Sequence, residues 1–130
     1  MAAEKNFENK VKEYLEESGA WHIKYWGGAK YTKSGIPDIL VCLNGCFLAI
    51  ETKAPTGKPT PLQLHSIKKI REAGGIAIVL YPEQWDMFRD MVKSINLVRF
   101  DYEDYQYEFD NKLSDEDKER LYGKNKSTDY

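Results

Sequence analysis

The stretch GIPDILVCLNGCFLAIETK, residues 35–53, decides which fold this chain can adopt. Two apolar runs flank Asn44-Gly45, and an Asn-Gly pair between such runs is the strongest short-range signal for a two-residue type I′ hairpin turn. Counting outward from that turn pairs Asp38 with Glu51. The sequence therefore predicts two carboxylates facing each other at the open end of a hairpin.

Side chains alternate between the two faces of such a hairpin. One face is entirely apolar and consists of Ile39, Val41, Leu43, Cys46, Leu48 and Ile50. The opposite face is apolar in its middle, and Lys53 projects from it together with Glu51. Both faces are therefore expected to be covered, which predicts two central strands with their charged groups gathered at one end.

Two carboxylates directly opposed across a sheet repel each other, and in a partly buried position one of them tends to stay protonated. A positive group is expected to offset this repulsion. Lys53 is one candidate. A divalent cation such as Mg²⁺ or Mn²⁺ is the other, since hard carboxylate oxygens suit these ions. A strand end closed by an ion pair, with no ligand, is the alternative reading of the hairpin.

The remaining elements follow from apolar periodicity and from turn and cap residues. They are a helix at 6–18, a strand at 20–26, a loop at 27–37, a helix that begins at Thr60-Pro61-Leu62-Gln63 and ends at 74–75, a strand at 76–81, a helix at 82–95 and a last strand at 96–100. This order predicts an α/β fold around a small mixed sheet flanked by helices. Residues 1–100 form the predicted domain. Residues 101–130 are an acidic tail, partly helical or disordered, with one short helix from Ser114 to about Tyr122.

Charge is unevenly distributed although the net charge is only −2. Residues 22–75 hold eight Lys or Arg against three acids, whereas residues 76–130 hold eight against thirteen. A basic middle is typical of a surface that binds a polyanion, and an ordinary solvated surface is equally compatible with it. The candidate phosphate contacts are Lys30, Lys33, Lys58, Lys68 and Lys69. The N-terminal sequence has no apolar run, which predicts a cytoplasmic protein without a membrane span.

Two further residues belong to the candidate site. Glu8 borders the apolar stripe of the first helix and can point toward the sheet, although an acid in a first turn is also favoured by the helix dipole. Gln63 stands where a capping box with Thr60 requires it, and it can serve the site, the cap or both.

The central motif of this sequence resembles that of the PD-(D/E)xK nuclease superfamily. It consists of Pro37-Asp38, a hairpin, and then Glu51-Thr52-Lys53. The wider string of GIPD, FLAIETK and TPLQ, over roughly residues 6 to 81, is similar to the VRR-NUC branch of that superfamily. The resemblance implies a metal-dependent endonuclease with a restriction-endonuclease-like αβββαβ core. It also implies Mg²⁺ as cofactor, with Mn²⁺ able to replace it.

The resemblance implies roles for individual residues. Asp38, Glu51 and the main-chain carbonyl of Thr52 would be metal ligands, and Glu8 would complete the site directly or through water. Lys53 would hold the attacking water or stabilise charge on phosphorus, and Gln63 would orient Lys53 or a water. Other acids in or next to the first helix, namely Glu4, Glu13, Glu16 and Glu17, are also near, and helical phase favours Glu8.

The resemblance also implies a substrate and a partner. Small stand-alone relatives are thought to act on branched DNA such as Holliday junctions and to work as homodimers. A flap or restriction-type nuclease is one alternative. A DNA-binding module that keeps the fold but does not cut is the other.

Overall fold

The computed structural model describes residues 2–25, 35–97 and 103–123, with the backbone alone described at 103–105. The chain divides into two compact units, Met1–Phe100 and Asp101–Tyr130, and each is considered by itself. None of the described helices is long and apolar enough to cross a bilayer.

The first unit is an α/β structure around a four-stranded sheet. Its elements are α1 (Ala2–Glu17), β1 (Trp21–Lys24), β2 (Ile39–Leu43), β3 (Cys46–Thr52), α2 (Pro61–Glu72), β4 (Ile76–Leu80), a 3₁₀ turn (Pro82–Gln84) and α3 (Trp85–Leu97). The strand order is β1-β2-β3-β4, and β3 pairs with β2 antiparallel and with β4 parallel. This mixed sheet with flanking helices confirms the predicted restriction-endonuclease-like fold class.

The hairpin between β2 and β3 has the predicted turn and register. Asn44 and Gly45 have φ angles of 48° and 84°, and a type I′ turn requires positive φ at both positions. Leu43 pairs with Cys46, and Ile39 pairs with Ile50. The next positions outward are therefore those of Asp38 and Glu51.

Helices cover both faces of the sheet. Residues of α1 and α3, among them Val11, Leu15 and Phe88, pack in one cluster with the alternate strand residues that include Ile39 and Ile50. On the other face, α2 packs Ile67 against Ala49 and Ala77. Because these two alanines are small, the helix can approach the strands closely, and β3 is buried from both sides.

The predicted last strand at 96–100 is wrong in its described part. Asn96 and Leu97 are the last two residues of α3, and residues 98–100 lie outside the described part of the chain. Phe88, Val92 and Ile95 pack on the core at helical spacing, and the two residues that extend the helix past its predicted end are exposed. The side-chain amide of Asn96 also donates to the Ser18 carbonyl oxygen at 3.1 Å.

The second unit contains two short helices, α4 (Glu103–Asp110) and α5 (Asp115–Tyr122). The prediction of α5 is confirmed, including its cap, because the Ser114 hydroxyl accepts a hydrogen bond from the Asp117 amide at 3.1 Å. Helix α4 was not predicted. Its sequence lacks an apolar stripe, and it contacts α5, where the rings of Tyr107 and Tyr122 meet edge to face.

Candidate active site

The backbone of the sheet fixes the charged end of the hairpin. Asp38 directly precedes β2, and its carbonyl oxygen accepts a hydrogen bond from the Tyr25 amide at 2.7 Å. Lys53 directly follows β3, and its amide donates to the Leu80 carbonyl oxygen at 3.0 Å. The sheet pairing thus continues one residue beyond the strands on both sides, so the charged side chains project from ordered backbone.

Glu51 is the buried acid of the cluster, with a relative exposure of 2%. Its Oε2 lies 3.3 Å from Lys53 Nζ, and its Oε1 has no hydrogen-bond partner among the residues that the structure describes. Burial raises the pKa of Glu51 to about 7, the Asp38 charge adds to this effect, and Lys53 acts against it. The sequence predicted that one of the two carboxylates tends to stay protonated. For Glu51 the larger cause is burial, and the second is repulsion by the charge of Asp38.

Asp38 is half-buried and holds two different partners. The Thr52 hydroxyl donates to Asp38 Oδ2 at 3.2 Å, and Lys24 Nζ lies 3.5 Å from Oδ1. Thr52 entered the prediction only through its main-chain carbonyl. The structure adds its hydroxyl as a contact that orients the Asp38 carboxylate.

Glu8 is buried beside two lysines. Lys24 forms a close ion pair with its Oε1, and Lys12 Nζ lies 3.2 Å from its Oε2. Burial by itself raises the pKa of Glu8, but the two ammonium groups outweigh it and hold the pKa below its ordinary value. The carboxylate of Glu8 is therefore ionised. Its Oε1 accepts a hydrogen bond from Lys24, and its Oε2 is ion-paired with Lys12 but has no hydrogen-bond partner among the described residues.

The carboxylate cluster contains Glu4 rather than Glu8. Glu4, Asp38 and Glu51 each offer one oxygen, and these oxygens all lie within 4.8 Å of one another. The predicted helix began at Asn6 and left Glu4 outside, whereas α1 begins at Ala2. Glu4 and Glu8 are one helical turn apart on the same face, so this longer helix brings Glu4 to the cluster.

The family model described as "Archaeal holliday junction resolvase (hjc)" matches residues 2–113 of the chain. The chain belongs to the Holliday junction resolvase (Hjc) family. This family assignment confirms the resemblance to nucleases drawn from the hairpin motif.

Two individual similarities agree with the Hjc family assignment. The chain is 36% identical over 72 residues to "Putative nuclease p44" of Acyrthosiphon pisum secondary endosymbiont phage 1, an alignment that covers 51% of this chain and 77% of that protein. A solved structure entitled "VRR_NUC domain" superposes with a TM-score of 0.58 at 28% identity, covering 68% of this chain and 95% of the other. The Hjc-family chain is thus a nuclease of the restriction-endonuclease-like superfamily.

A weaker similarity links the Hjc-family chain to the solved Holliday junction resolvase Hjc of Archaeoglobus fulgidus. The TM-score is 0.46 at 23% identity, with 59% of this chain and 66% of the other covered.

The side chains of the Hjc-family site suit a divalent cation, which nucleases of this type use. Three carboxylate oxygens converge, and Mg²⁺ and Mn²⁺ prefer oxygen ligands of this kind. Glu51 Oε1 is buried without a hydrogen-bond partner among the described residues, and such an oxygen is costly unless a proton or a cation satisfies it. A cation would also favour the ionised form of Glu51, whose pKa burial raises.

Gln63 is a capping residue in the structure. Its side-chain oxygen accepts a hydrogen bond from the backbone amide of Thr60 at 2.9 Å, and its backbone amide donates to the Thr60 hydroxyl at 3.1 Å. The capping box is therefore complete at the start of α2. The NH₂ group of the Gln63 side chain takes no part in this cap and can serve the site as well.

The candidate DNA-binding lysines are only partly covered by the described residues. Lys58, Lys68 and Lys69 are exposed, and Lys69 Nζ lies 3.5 Å from Glu72. Lys30 and Lys33 lie outside the described residues.

Lys24 is the site residue that sequence reasoning missed. It is the last residue of β1 and reaches both Glu8 and Asp38. Burial lowers the pKa of Lys24, but these two carboxylates outweigh that effect and hold the pKa above its ordinary value. The available signal was a lysine at the end of a short predicted strand. It would have indicated a site residue only if the pairing of β1 with β2, which brings Lys24 close to Asp38, had been known.

Proposed function

We propose that the chain is a Mg²⁺-dependent endonuclease that cuts branched DNA such as Holliday junctions. The observation that carries the proposal is Glu51, whose buried carboxylate has one oxygen beside Lys53 and the other without a hydrogen-bond partner among the described residues. Membership in the Holliday junction resolvase family supplies the class of substrate. The nuclease domain would be residues 1–100, and a cytoplasmic location is part of the same proposal.

The cation would be held mainly by the hairpin. Asp38 and Glu51 would be its carboxylate ligands and the main-chain carbonyl of Thr52 a third ligand, with Glu4 or Glu8 completing the site directly or through water. A bound Mg²⁺, or Mn²⁺ in its place, would polarise the scissile phosphate and lower the pKa of a water molecule.

The side chains around the cation would supply position and charge. Lys53 Nζ, 3.3 Å from Glu51, would donate to the attacking water or to the phosphate oxygen on which negative charge grows. Lys24 would keep Glu8 ionised and would hold the carboxylates of Glu8 and Asp38 in place. Gln63 would use its NH₂ group to orient Lys53 or a water molecule.

DNA binding would depend on phosphate contacts that carry no sequence information. The exposed lysines Lys58, Lys68 and Lys69, together with Lys30 and Lys33, are the proposed contacts. A homodimer would place two active sites about a two-fold axis, which matches the symmetry of a four-way junction. A monomer would instead suit a flap.

A panel of DNA substrates tests the proposed function. With Mg²⁺ or Mn²⁺ the protein is expected to cut a four-way junction in preference to linear, forked and flap DNA, and to cut nothing in EDTA. Asp38→Asn is the control, because it removes one proposed ligand with little change of shape. Preferential cutting of flaps or linear duplex would favour the flap or restriction-type alternative. Binding to the whole panel without cutting would favour a DNA-binding module.

The choice between the two acids of α1 is separately testable. Glu4→Gln is expected to weaken Mn²⁺ binding at least about tenfold, because Glu4 lies with Asp38 and Glu51 in the carboxylate cluster. Glu8→Gln is expected to change it less, since both oxygens of Glu8 are engaged by lysines. Isothermal titration calorimetry of the metal-free proteins measures both constants. A larger loss of Mn²⁺ affinity in Glu8→Gln than in Glu4→Gln would show that Glu8 is the metal ligand of α1.

A further inference from the structure

Tyr81 has no role in the proposed mechanism, although it touches the segment that carries Lys53. It is the first residue after β4, and its hydroxyl donates to the Gly57 carbonyl oxygen at 2.8 Å. Gly57 lies in the loop that connects β3 to α2, and this loop begins at Lys53. The hydrogen bond therefore joins the end of one strand to the loop that leaves the neighbouring strand.

That loop folds back onto the side chain of Lys53. The Gly57 amide donates to the Ala54 carbonyl oxygen at 2.9 Å, which closes a turn immediately after Lys53. A methyl group built on the Gly57 Cα would lie 3.4 Å from Lys53 Cδ, which is van der Waals contact. The backbone of Gly57 thus lies beside the aliphatic part of Lys53, separated from it by about the width of one methyl group.

Tyr81 is itself held firmly. Its amide donates to the side-chain oxygen of Gln84 at 3.1 Å, and its carbonyl oxygen accepts from the Gln84 amide at 2.9 Å. The residue before it, Leu80, accepts the hydrogen bond from the Lys53 amide. Two consecutive residues at the end of β4 therefore restrain Lys53, one through its backbone and the other through the loop over its side chain.

We propose that Tyr81 is a positioning residue for Lys53, acting through the Gly57 carbonyl. A lysine side chain has four rotatable carbon bonds, and its ammonium group is effective only if those bonds are confined. The nearby backbone of Gly57 limits the space open to these bonds and so favours the position of Lys53 Nζ beside Glu51. The catalytic consequence rests on the proposed function of Lys53, whereas the restraint on its side chain does not.

Tyr81→Phe tests the catalytic consequence, because it removes the hydroxyl and keeps the ring. The kcat for junction cleavage is expected to fall about tenfold, with KM and DNA affinity unchanged. Tyr14→Phe is the matched control, since its hydroxyl also donates to a main-chain carbonyl, that of Arg89 at 3.5 Å, on helices away from the loop. This control is expected to retain the kcat of the unsubstituted protein. A rise in KM with unchanged kcat would contradict the proposal.

A second measurement does not depend on cleavage. Metal-free protein is treated briefly with acetic anhydride, and acetylation of Lys53 is compared with that of Lys93, an exposed lysine of α3, by peptide mass spectrometry. Tyr81→Phe is expected to raise the acetylation rate of Lys53 several-fold while that of Lys93 stays constant. An unchanged rate at Lys53 overturns the proposal whatever happens to kcat. If the unsubstituted protein cuts no DNA, the proposed function fails, but the acetylation rate still decides whether Tyr81 restrains Lys53.

Discussion

Lys53→Ala is expected to slow DNA cleavage by about 10²–10³-fold while leaving DNA affinity within a few-fold of its original value. The ammonium group lies 3.3 Å from Glu51 in a largely buried position, where its charge is weakly screened. A donor fixed at such a position stabilises charge that develops during the reaction, and its loss therefore affects the chemical step more than binding. Single-turnover cleavage and a fluorescence binding titration with the same junction separate the two quantities.

Lys93→Ala is the control for Lys53→Ala, because it removes the same charge from an exposed helical position. It is expected to leave the rate of cleavage unchanged. Thermal melting of both variants followed by circular dichroism shows whether the fold is retained, since Lys53→Ala also deprives the buried Glu51 of a neighbouring positive charge. Undiminished cleavage by folded Lys53→Ala would refute the proposed role of the ammonium group.

The metal-free protein is expected to lose stability as the pH rises, because of Glu51. Burial and the Asp38 charge raise the pKa of Glu51 from 4.5 to about 7 in the folded state. Between these two values the folded state binds more protons than the unfolded state, so the free energy of unfolding falls with increasing pH. This loss of stability is absent below about pH 4.5 and complete above about pH 7. It amounts to about 3 kcal/mol, since each tenfold change in proton affinity is worth about 1.4 kcal/mol.

Glu51→Gln removes this dependence while keeping the size of the side chain. Urea unfolding in EDTA at pH 5 and pH 8 is expected to show a decrease in stability for the unsubstituted protein that the variant largely lacks. Glu83→Gln, at an exposed position of the 3₁₀ turn, controls for the loss of a carboxylate. Addition of Mn²⁺ at pH 8 is expected to stabilise the unsubstituted protein and not Glu51→Gln. Parallel pH curves for the unsubstituted protein and Glu51→Gln would show that Glu51 is not the source of the cost.

The sequence was informative where short-range signals determine geometry. The Asn44-Gly45 turn fixed the register of β2 with β3, and Thr60-Pro61 with Gln63 fixed the start of α2. Because strand alternation is regular, the same register brought the positions of Asp38 and Glu51 together at one end of the hairpin. These parts of the fold and of the candidate site needed no knowledge of contacts between distant elements.

The parts that sequence reasoning missed depend on packing between elements. Lys24 reaches Asp38 only because β1 pairs with β2, and Glu4 reaches the carboxylate cluster only because α1 starts at Ala2. Likewise α3 continues to Leu97, two residues past the predicted end, where the side-chain amide of Asn96 donates to the Ser18 carbonyl oxygen. No local pattern of residues encodes these three results.

The hairpin turn has a consequence for how this protein can be altered. Tips of hairpins are usually the places where chains accept insertions, tags and grafted loops. Here the turn is five residue pairs, about 17 Å, from the carboxylates, yet it decides which residues stand opposite each other. One added residue in β2 or β3 would move Asp38 out of step with Glu51 and reverse the face of every side chain beyond it. The side-chain amide of Asn44 also donates to the Ile95 carbonyl oxygen at 2.9 Å. Asn44→Asp, which would keep a favourable turn sequence, would therefore still lose a hydrogen bond to α3. A turn that looks free for engineering therefore sets the alignment of the residues at the opposite end of the hairpin.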